Sequence, residues 1–476
     1  MIRSTGMRPI AGLFVAVFLA LPGLLHAQKV QFERFVMPSG LRVLVHSDDR
    51  SPVVSVGLMY KTGLNDEPST LAGINAVVAA MSTESSAHLS PGQYRSIMGT
   101  YGGKSTVDVS YDVTFFCDSF SSNMLKGAIW LAAEKAYGFR EDTVAFAQVA
   151  EKVAGEASVR QRRTGDREEK ALYDMVRTVN LRLVPEVATL DSGITMTAAK
   201  AYEKLYFNPK KAVLAISGDV NVDSVRRYVV EMFSLLPPDT LKVDLKPTLF
   251  SVRKPAADTV VLSGGKAVDV GSGILAVGGY DKHIDTLYIP QPNESVIFAW
   301  QIPPYSDPQF EVFDFISTVL CASSGSRLDK ALVEEEGLAT SVQPFILPME
   351  RASVFAFKVD LRPGVKISQA EAVVHRELER MRNFNITAGE LKKAVNATQM
   401  SQWQYISSNE GMVRNMALTE LLYGDAAVFN SRMDKLSTIT QEDVRIVMRR
   451  FFRTDNMKTI YELPSSRREQ SSAGSK

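Results

Sequence analysis

Apolar positions along the chain fall into short runs and helical stripes, separated by Gly, Pro and acidic turns. Gln31 to His46 reads as two short strands around the turn signal Pro38-Ser39-Gly40. Ser51 to Asp66 (SPVVSVGLMYKTGLND) is an apolar, β-branched strand, centred on Val53 to Lys61, that ends in a turn. Leu71 to Met81 is small and apolar with no helix breaker after Gly73, which predicts a buried helix. Ser90 to Thr100 predicts a short helix, after which Gly102-Gly103 leads into the strand-rich run VDVSYDVTFFCDSF. Ser122 to Tyr137 and Asp142 to Arg163 predict helices. The mixed-charge run Arg160 to Glu169 (RQRRTGDREE) reads as a solvated helix face or a loop. Ile194 to Val220 predicts a helix and then a strand closing in Gly218-Asp219, and Val222 to Phe233 a closing helix.

The pattern then repeats. Thr195 to Phe207 pairs with Thr440 to Phe452 at a constant offset of 245 residues, and a strand follows each, KKAVLAIS and MKTIYELP. Ser295 to Gln301, Pro303-Pro304-Tyr305 and a helix over Gln309 to Cys321 copy the order of Ser51 to Met81. A duplicated unit of about 200 residues explains this. The expected division is a leader over 1–27, a first repeat over 28–236, a linker or inserted β-rich segment over 237–292, a second repeat over 293–464 and a disordered tail over 465–476. The glycines of the linker include no G-x-x-x-x-G-K-[ST], so a phosphate-cradling loop is discounted.

Composition narrows the function. The 476 residues are 45% hydrophobic and 22% charged with a net charge of +1, so nothing points to nucleic acid or to an anionic membrane. Met1 to Ala27 has the form of a secretory signal: Arg3 and Arg8, an apolar core from Ile10 to Leu25, and Leu-His-Ala before Gln28. No later segment is long and apolar enough to span a bilayer, so export, to a bacterial periplasm, is expected. Cys117 and Cys321 sit in separate apolar runs and read as buried thiols, with a disulfide as the alternative. The five histidines, His26, His46, His88, His283 and His375, include no His-x-x-x-His.

The order around Leu71 to Met81 resembles the opening of the pitrilysin/insulinase family of zinc peptidases. Gly73-Ile74-Asn75 matches that family's Gly-Leu-Ala, and the resemblance places its two zinc histidines at Ala76 and Ala80 and its general-base glutamate at Ala79. Two histidines at i and i+4 share a helix face and can grip Zn²⁺, and the glutamate takes a proton from the zinc-bound water. Alanine has no donor atom for either task. The family's spacing of 76 residues from the second histidine to the third ligand lands on Glu156, and its additional glutamate falls on Val149. One glutamate does not hold zinc usefully, so no metal is expected in this chain. MPSGLRVLVH resembles the first hairpin of the family, and Tyr206-Phe207-Asn208-Pro209 with Gly218-Asp219 another of its signatures. Ser323 to Val342 resembles its Gly-rich turn plus Ser-Arg-Leu…Gly-Leu-Ala-Tyr-Ser-Val, with Arg327 kept. The Arg and Tyr that hold the substrate carbonyl in the family correspond to Val333 and Thr340.

The resemblance also implies the class, α+β with two repeated rolls, each a mostly antiparallel sheet with helices packed on one face, and a substrate strand. In the family a Gly-Gly-x-x-Asn-Ala strand beside the active helix takes up peptide as an added strand; here it is Gly102, Gly103, Lys104, Ser105 and Thr106 running into Val107. The alternative is a plain edge strand. The implied function is a non-catalytic subunit of an exported zinc peptidase, paired with an HxxEH-bearing subunit that holds the zinc and closing with it around an unfolded peptide. The alternative is a peptide-binding holdase or envelope scaffold with no peptidase partner.

Overall fold

Two sheets with long uninterrupted apolar strands organise the chain, each repeat contributing one. The computed structural model describes residues 29–180, 193–236, 284–322 and 324–466. The leader over 1–27 and most of the linker and tail lie outside them.

In chain order the first repeat gives β1 (Glu33–Val36), β2 (Arg42–Ser47), β3 (Val53–Tyr60), α1 (Ile74–Glu84), α2 (Gln93–Thr100), β4 (Lys104–Val109) and β5 (Thr114–Ser121). It continues with α3 (Leu125–Tyr137), α4 (Thr143–Arg160), α5 (Thr164–Asp174), α6 (Arg177–Asn180), α7 (Met196–Tyr206), β6 (Ala212–Gly218) and α8 (Val222–Met232). The second gives β7 (Ile284–Ile289), β8 (Ser295–Ile302), α9 (Phe310–Leu320), β9 (Ala339–Leu347), β10 (Ser353–Leu361) and α10 (Ile367–Asn383). It ends with α11 (Ala388–Ile406), α12 (Asn409–Tyr423), α13 (Val428–Leu436), α14 (Gln441–Phe451) and β11 (Met457–Pro464). The 245-residue offset recurs at two further pairs of helix starts, Thr143 with Ala388 and Thr164 with Asn409.

The first sheet has six strands in the order β1-β2-β6-β3-β5-β4 and the second five, β7-β11-β8-β10-β9. Both are antiparallel apart from one parallel pair each, β2 with β6 and β7 with β11. β7 lies within 237–292, the stretch that reads as a linker or an inserted β-rich segment; its parallel ladder to β11 makes it an edge of the second sheet. Gly218 closes β6 at φ 140, where a Cβ would stand 2.1 Å from the Val53 carbonyl oxygen, so the Gly-Asp signature is a close backbone approach.

Alternate residues of the first sheet point to two different packings. Val54, Val56, Leu58 and Tyr60 join one core with α1, α3, α7 and α8. The opposite face is closed by α12, which comes from the second repeat: Val413 sits over Gly57, and Asn409 Nδ2 donates to the Val53 carbonyl at 3.1 Å. The exchange is reciprocal. Leu172 and Tyr173 of α5, with Met175 and Val176, pack on Ile297, Ala299, Val354, Ala356 and Ile460 of the second sheet. Each sheet is therefore buried on both faces, which is why its strands read as continuous apolar runs. The described residues from Phe32 onward accordingly form one compact unit.

The run RQRRTGDREE is mostly exposed, with Glu168 its one buried member. Glu168 lies on the exchanged helix α5 and is buried against the second sheet, where Lys358 Nζ meets Glu168 Oε1 and Glu462 Oε2 at 2.8 Å each. Ser295 Oγ also donates to Glu462, at 2.5 Å.

Candidate functional site

Glu67 sets the start of α1. Gly73, at the N-terminus, has no side chain to cap the helix, and Glu67 does so instead by accepting the N–H groups of Gly73 and Asn75 at 2.9 Å each. Asn75 is fully buried: Thr114 Oγ1 donates to its Oδ1 at 2.7 Å, and its Nδ2 lies 3.3 Å from Tyr202 Oη. Burial pushes the Glu67 carboxyl up to about 7, against the pull of the two N–H donors. A carboxyl raised on folding adds stability that is complete below its unfolded value and disappears as pH climbs through the folded one. Glu67→Gln should therefore gain stability relative to the parent, by about 2 kcal/mol, between pH 4.5 and pH 7.5. Urea titrations of both proteins at several pH values measure the difference; a constant difference would refute it.

Along α1, Ala79 is buried in the core while Ala76 and Ala80 are half-buried. α4 packs beside α1, as the placement of a third ligand there requires. Val149 of α4 belongs to the same core as Ala79, Val153 packs against it, and Glu156 lies beyond them on the exposed part of α4. Three methyl groups and one solvated carboxylate do not fit Zn²⁺, which needs several nitrogen, sulfur or oxygen donors at one point. Among the described residues no group of three or more His, Cys, Asp or Glu side chains could hold a metal ion.

Gly102 to Thr106 run into β4, the outer strand of the first sheet, with β5 on its inner side. The hairpin closes with the Ser110 N–H donating to the Val113 carbonyl at 3.0 Å. By alternation, Thr106 and Asp108 bond β5, and Ser105, Val107 and Val109 turn their backbone groups outward. Val107 is 43% exposed. The side chains are steadied from the second repeat: Lys104 pairs with Glu410 at 3.1 Å and Asp108 with Arg414 at 2.6 Å. Beneath the strand, Tyr94 Oη donates to Asp118 at 2.5 Å and lies 2.6 Å from Ser105 Oγ, and buried Lys135 pairs with Asp118.

Val333 is half-buried in the π-helical turn Lys330–Glu335. Thr340 is exposed on the edge strand β9, its hydroxyl donating to the Asp360 carbonyl at 3.2 Å. Arg327 makes a two-pronged pair with Glu390, at 2.7 and 2.9 Å, that ties the Ser-Arg-Leu turn to the start of α11. Burial alone would raise Glu390; the guanidinium and the Thr387 N–H override it and hold the carboxyl at about 2. Cys117 and Cys321 are free, buried thiols, which closes the disulfide alternative.

Residues 193–398 match the family described as Peptidase M16 inactive domain. The zinc protease PqqE of Helicobacter pylori is 24% identical over 404 residues, covering 82% of this chain and 84% of its own. The crystal structure of a protease from Helicobacter pylori superposes with a TM-score of 0.73 at 19% identity, over 92% of this chain and 100% of that one. A Pseudomonas fluorescens structure described as a peptidase M16 inactive domain gives a TM-score of 0.71 at 16% identity, over 91% and 98%.

Proposed function

The chain is a homologue of the insulinase-type (M16) zinc peptidases that lacks their HxxEH motif, and on that premise we propose that it serves as the non-catalytic subunit of an exported peptidase of this type. The observation that carries the reading is a helix kept in place, capped and packed against α4, with alanine at each of the three positions that chemistry needs. The catalytic zinc then resides in an HxxEH-bearing partner. This chain contributes chamber wall, partner surface and a strand edge for an unfolded peptide. No helix among the described residues is long and apolar enough to cross a membrane, and the leader-like start supports release to the periplasm.

The test is a pull-down of the tagged chain from its native envelope fraction, followed by peptide-cleavage assays. The chain alone should leave an unfolded peptide intact with Zn²⁺ present; together with an HxxEH-bearing partner it should give cleavage that a chelator stops. Zinc-dependent cleavage by the purified single chain would refute the reading. The outward backbone of Ser105, Val107 and Val109 favours a second reading, a peptide holdase without a peptidase partner. Recovery of the chain alone, inactive yet peptide-binding, would establish that one.

Peptide addition at β4 has its own check. Proline at Val107 removes an outward N–H without touching the ladder to β5. Val107→Pro should keep the parent's circular dichroism and lose about tenfold in affinity for an unfolded peptide, one or two hydrogen bonds being worth that much. Unchanged affinity in fluorescence anisotropy would remove β4 as the peptide edge.

A further inference from the structure

Between α9 and α11 the second repeat holds a cleft that the proposed peptidase-subunit role does not use. These helices are the repeat-mates of α1 and α4, so the cleft stands where, in the first repeat, the zinc-ligand positions have become alanine. Ser401 follows Glu156 by 245 residues, the offset that pairs α4 with α11.

The outer part is a cleft of about 320 Å³ lined by Asp314, Thr318, Thr398, Ser401 and Gln402 among others. Asp314 and Gln402 also line an inner niche of about 20 Å³, room for one water-sized group, walled further by Tyr305, Glu311, Thr419 and Arg432. Two polar atoms are buried here without a hydrogen-bond partner: Oε2 of Glu311 and Oγ1 of Thr398. Both residues are only 6% exposed. The other oxygen of Glu311 is taken by Arg432 Nε at 2.5 Å. Arg432 is itself fixed, donating to Tyr423 Oη at 2.9 Å with its guanidinium 4.3 Å from the Tyr305 ring centre. The ammonium nearest to Glu311 Oε2 is that of Lys435, 4.0 Å away and itself bonded to the Pro308 carbonyl. The niche wall carries two carboxylates, Glu311 and Asp314, and one guanidinium, with the Lys435 ammonium beside Glu311 at salt-bridge distance.

A buried acceptor left open costs about 1–3 kcal/mol, and a donor reaching it recovers that. The donor has to be the size of one heavy atom with its hydrogens, carried on a stem that follows the cleft. A divalent cation would need a third carboxylate, His or Cys, and the described residues offer none. We propose that this is a binding site for a primary ammonium on an aliphatic chain, with the ammonium in the niche against Glu311 Oε2 and Asp314 and the stem along Thr398 and Ser401. The ammonium is that of a free alkylamine or that of a lysine side chain in a bound peptide.

Calorimetric titration of the full chain with n-pentylamine, and with 1-pentanol as its uncharged counterpart, tests the site. Pentylamine should bind one to one and pentanol at least about tenfold more weakly, since the gain lies in charge-assisted hydrogen bonds. Asp314→Asn should cost the amine about tenfold. Ser401→Phe fills the cleft from an exposed position, so it leaves the core intact, and should abolish binding. Two unfolded peptides differing only by lysine or norleucine separate the sources. Tighter binding of the lysine peptide, lost in Ser401→Phe, assigns the site to peptide side chains; equal peptide affinities with amine binding retained assign it to free amines. Equal affinity for amine and alcohol, or no binding of amine by the folded parent, would overturn the proposal and leave the niche to a water molecule.

Discussion

Lys358→Met should destabilise the chain by about 3–5 kcal/mol at pH 7.5, the range for a buried charge that loses its counter-charge. Lys358 is 7% exposed on its side chain and holds Glu168 and Glu462 at 2.8 Å, with Asp360 at 3.6 Å. These contacts lift its ammonium above the ordinary lysine value in spite of burial. Without it, Glu168 and Glu462 are left facing each other where α5 crosses the second sheet. The Glu168 carboxyl is already raised, by burial first and by Glu462, with Lys358 opposing. The variant's only relief is to bind protons. The Glu168 carboxyl, already raised, is raised further, so the stability its protonation allows is present at low pH and lost as pH rises. The defect should therefore shrink toward pH 5. Chemical denaturation at pH 5 and pH 7.5 measures it, and a defect independent of pH would mean that the cost is lost packing. Adding Glu168→Gln and Glu462→Gln to Lys358→Met should recover much of the loss, because neutral amides cost less to bury than unpaired carboxylates.

Gly57→Ala should cost about 3 kcal/mol, although it adds one methyl group. A Cβ at residue 57 would stand 2.2 Å from Val413 Cγ1 and 2.8 Å from Phe115 Cε2, closer than side chains tolerate. Valine has no slack to swing away, so α12 has to lift from the sheet. The loss should be coupled to Val413. Val413→Ala alone leaves a cavity and costs about 1–2 kcal/mol, yet Gly57→Ala with Val413→Ala should be more stable than the sum of the two losses, because the smaller side chain makes the room. Strict additivity in a double-mutant cycle would show that α12 does not rest on Gly57.

The same two sites show what was legible in advance. The repeat was visible because its marks are local: a Thr N-cap, a helical stripe, then an apolar strand, set down twice at one spacing. Thr195 and Thr440 do cap α7 and α14 by accepting the N–H groups of Ala198 and Asp443. Arg327 reads as structural from its motif, and its pair with Glu390 fits that role. Glu168 was illegible because its partners lie 190 residues or more away in the chain. A charged run looks the same in sequence whether it faces water or a buried lysine. The cap from Glu67 was hidden as well, since a side chain six residues before the N-cap carries no periodic signal.

By itself the sequence determined the strand and helix order, the duplication, and the chemistry that α1 cannot perform, because a missing imidazole is missing in any fold. For each sheet it predicted helices on one face; that the uninterrupted apolar strands are covered on both faces is a finding of the fold. Only the tertiary structure decided what covers them. α5 and α12 cross to the opposite repeat, and that exchange joins the two halves, buries Lys358 among carboxylates and places Val413 on Gly57. Hydrophobic patterning states that a face must be buried; which helix buries it depends on contacts between residues hundreds of positions apart, and periodicity along the chain carries no record of them.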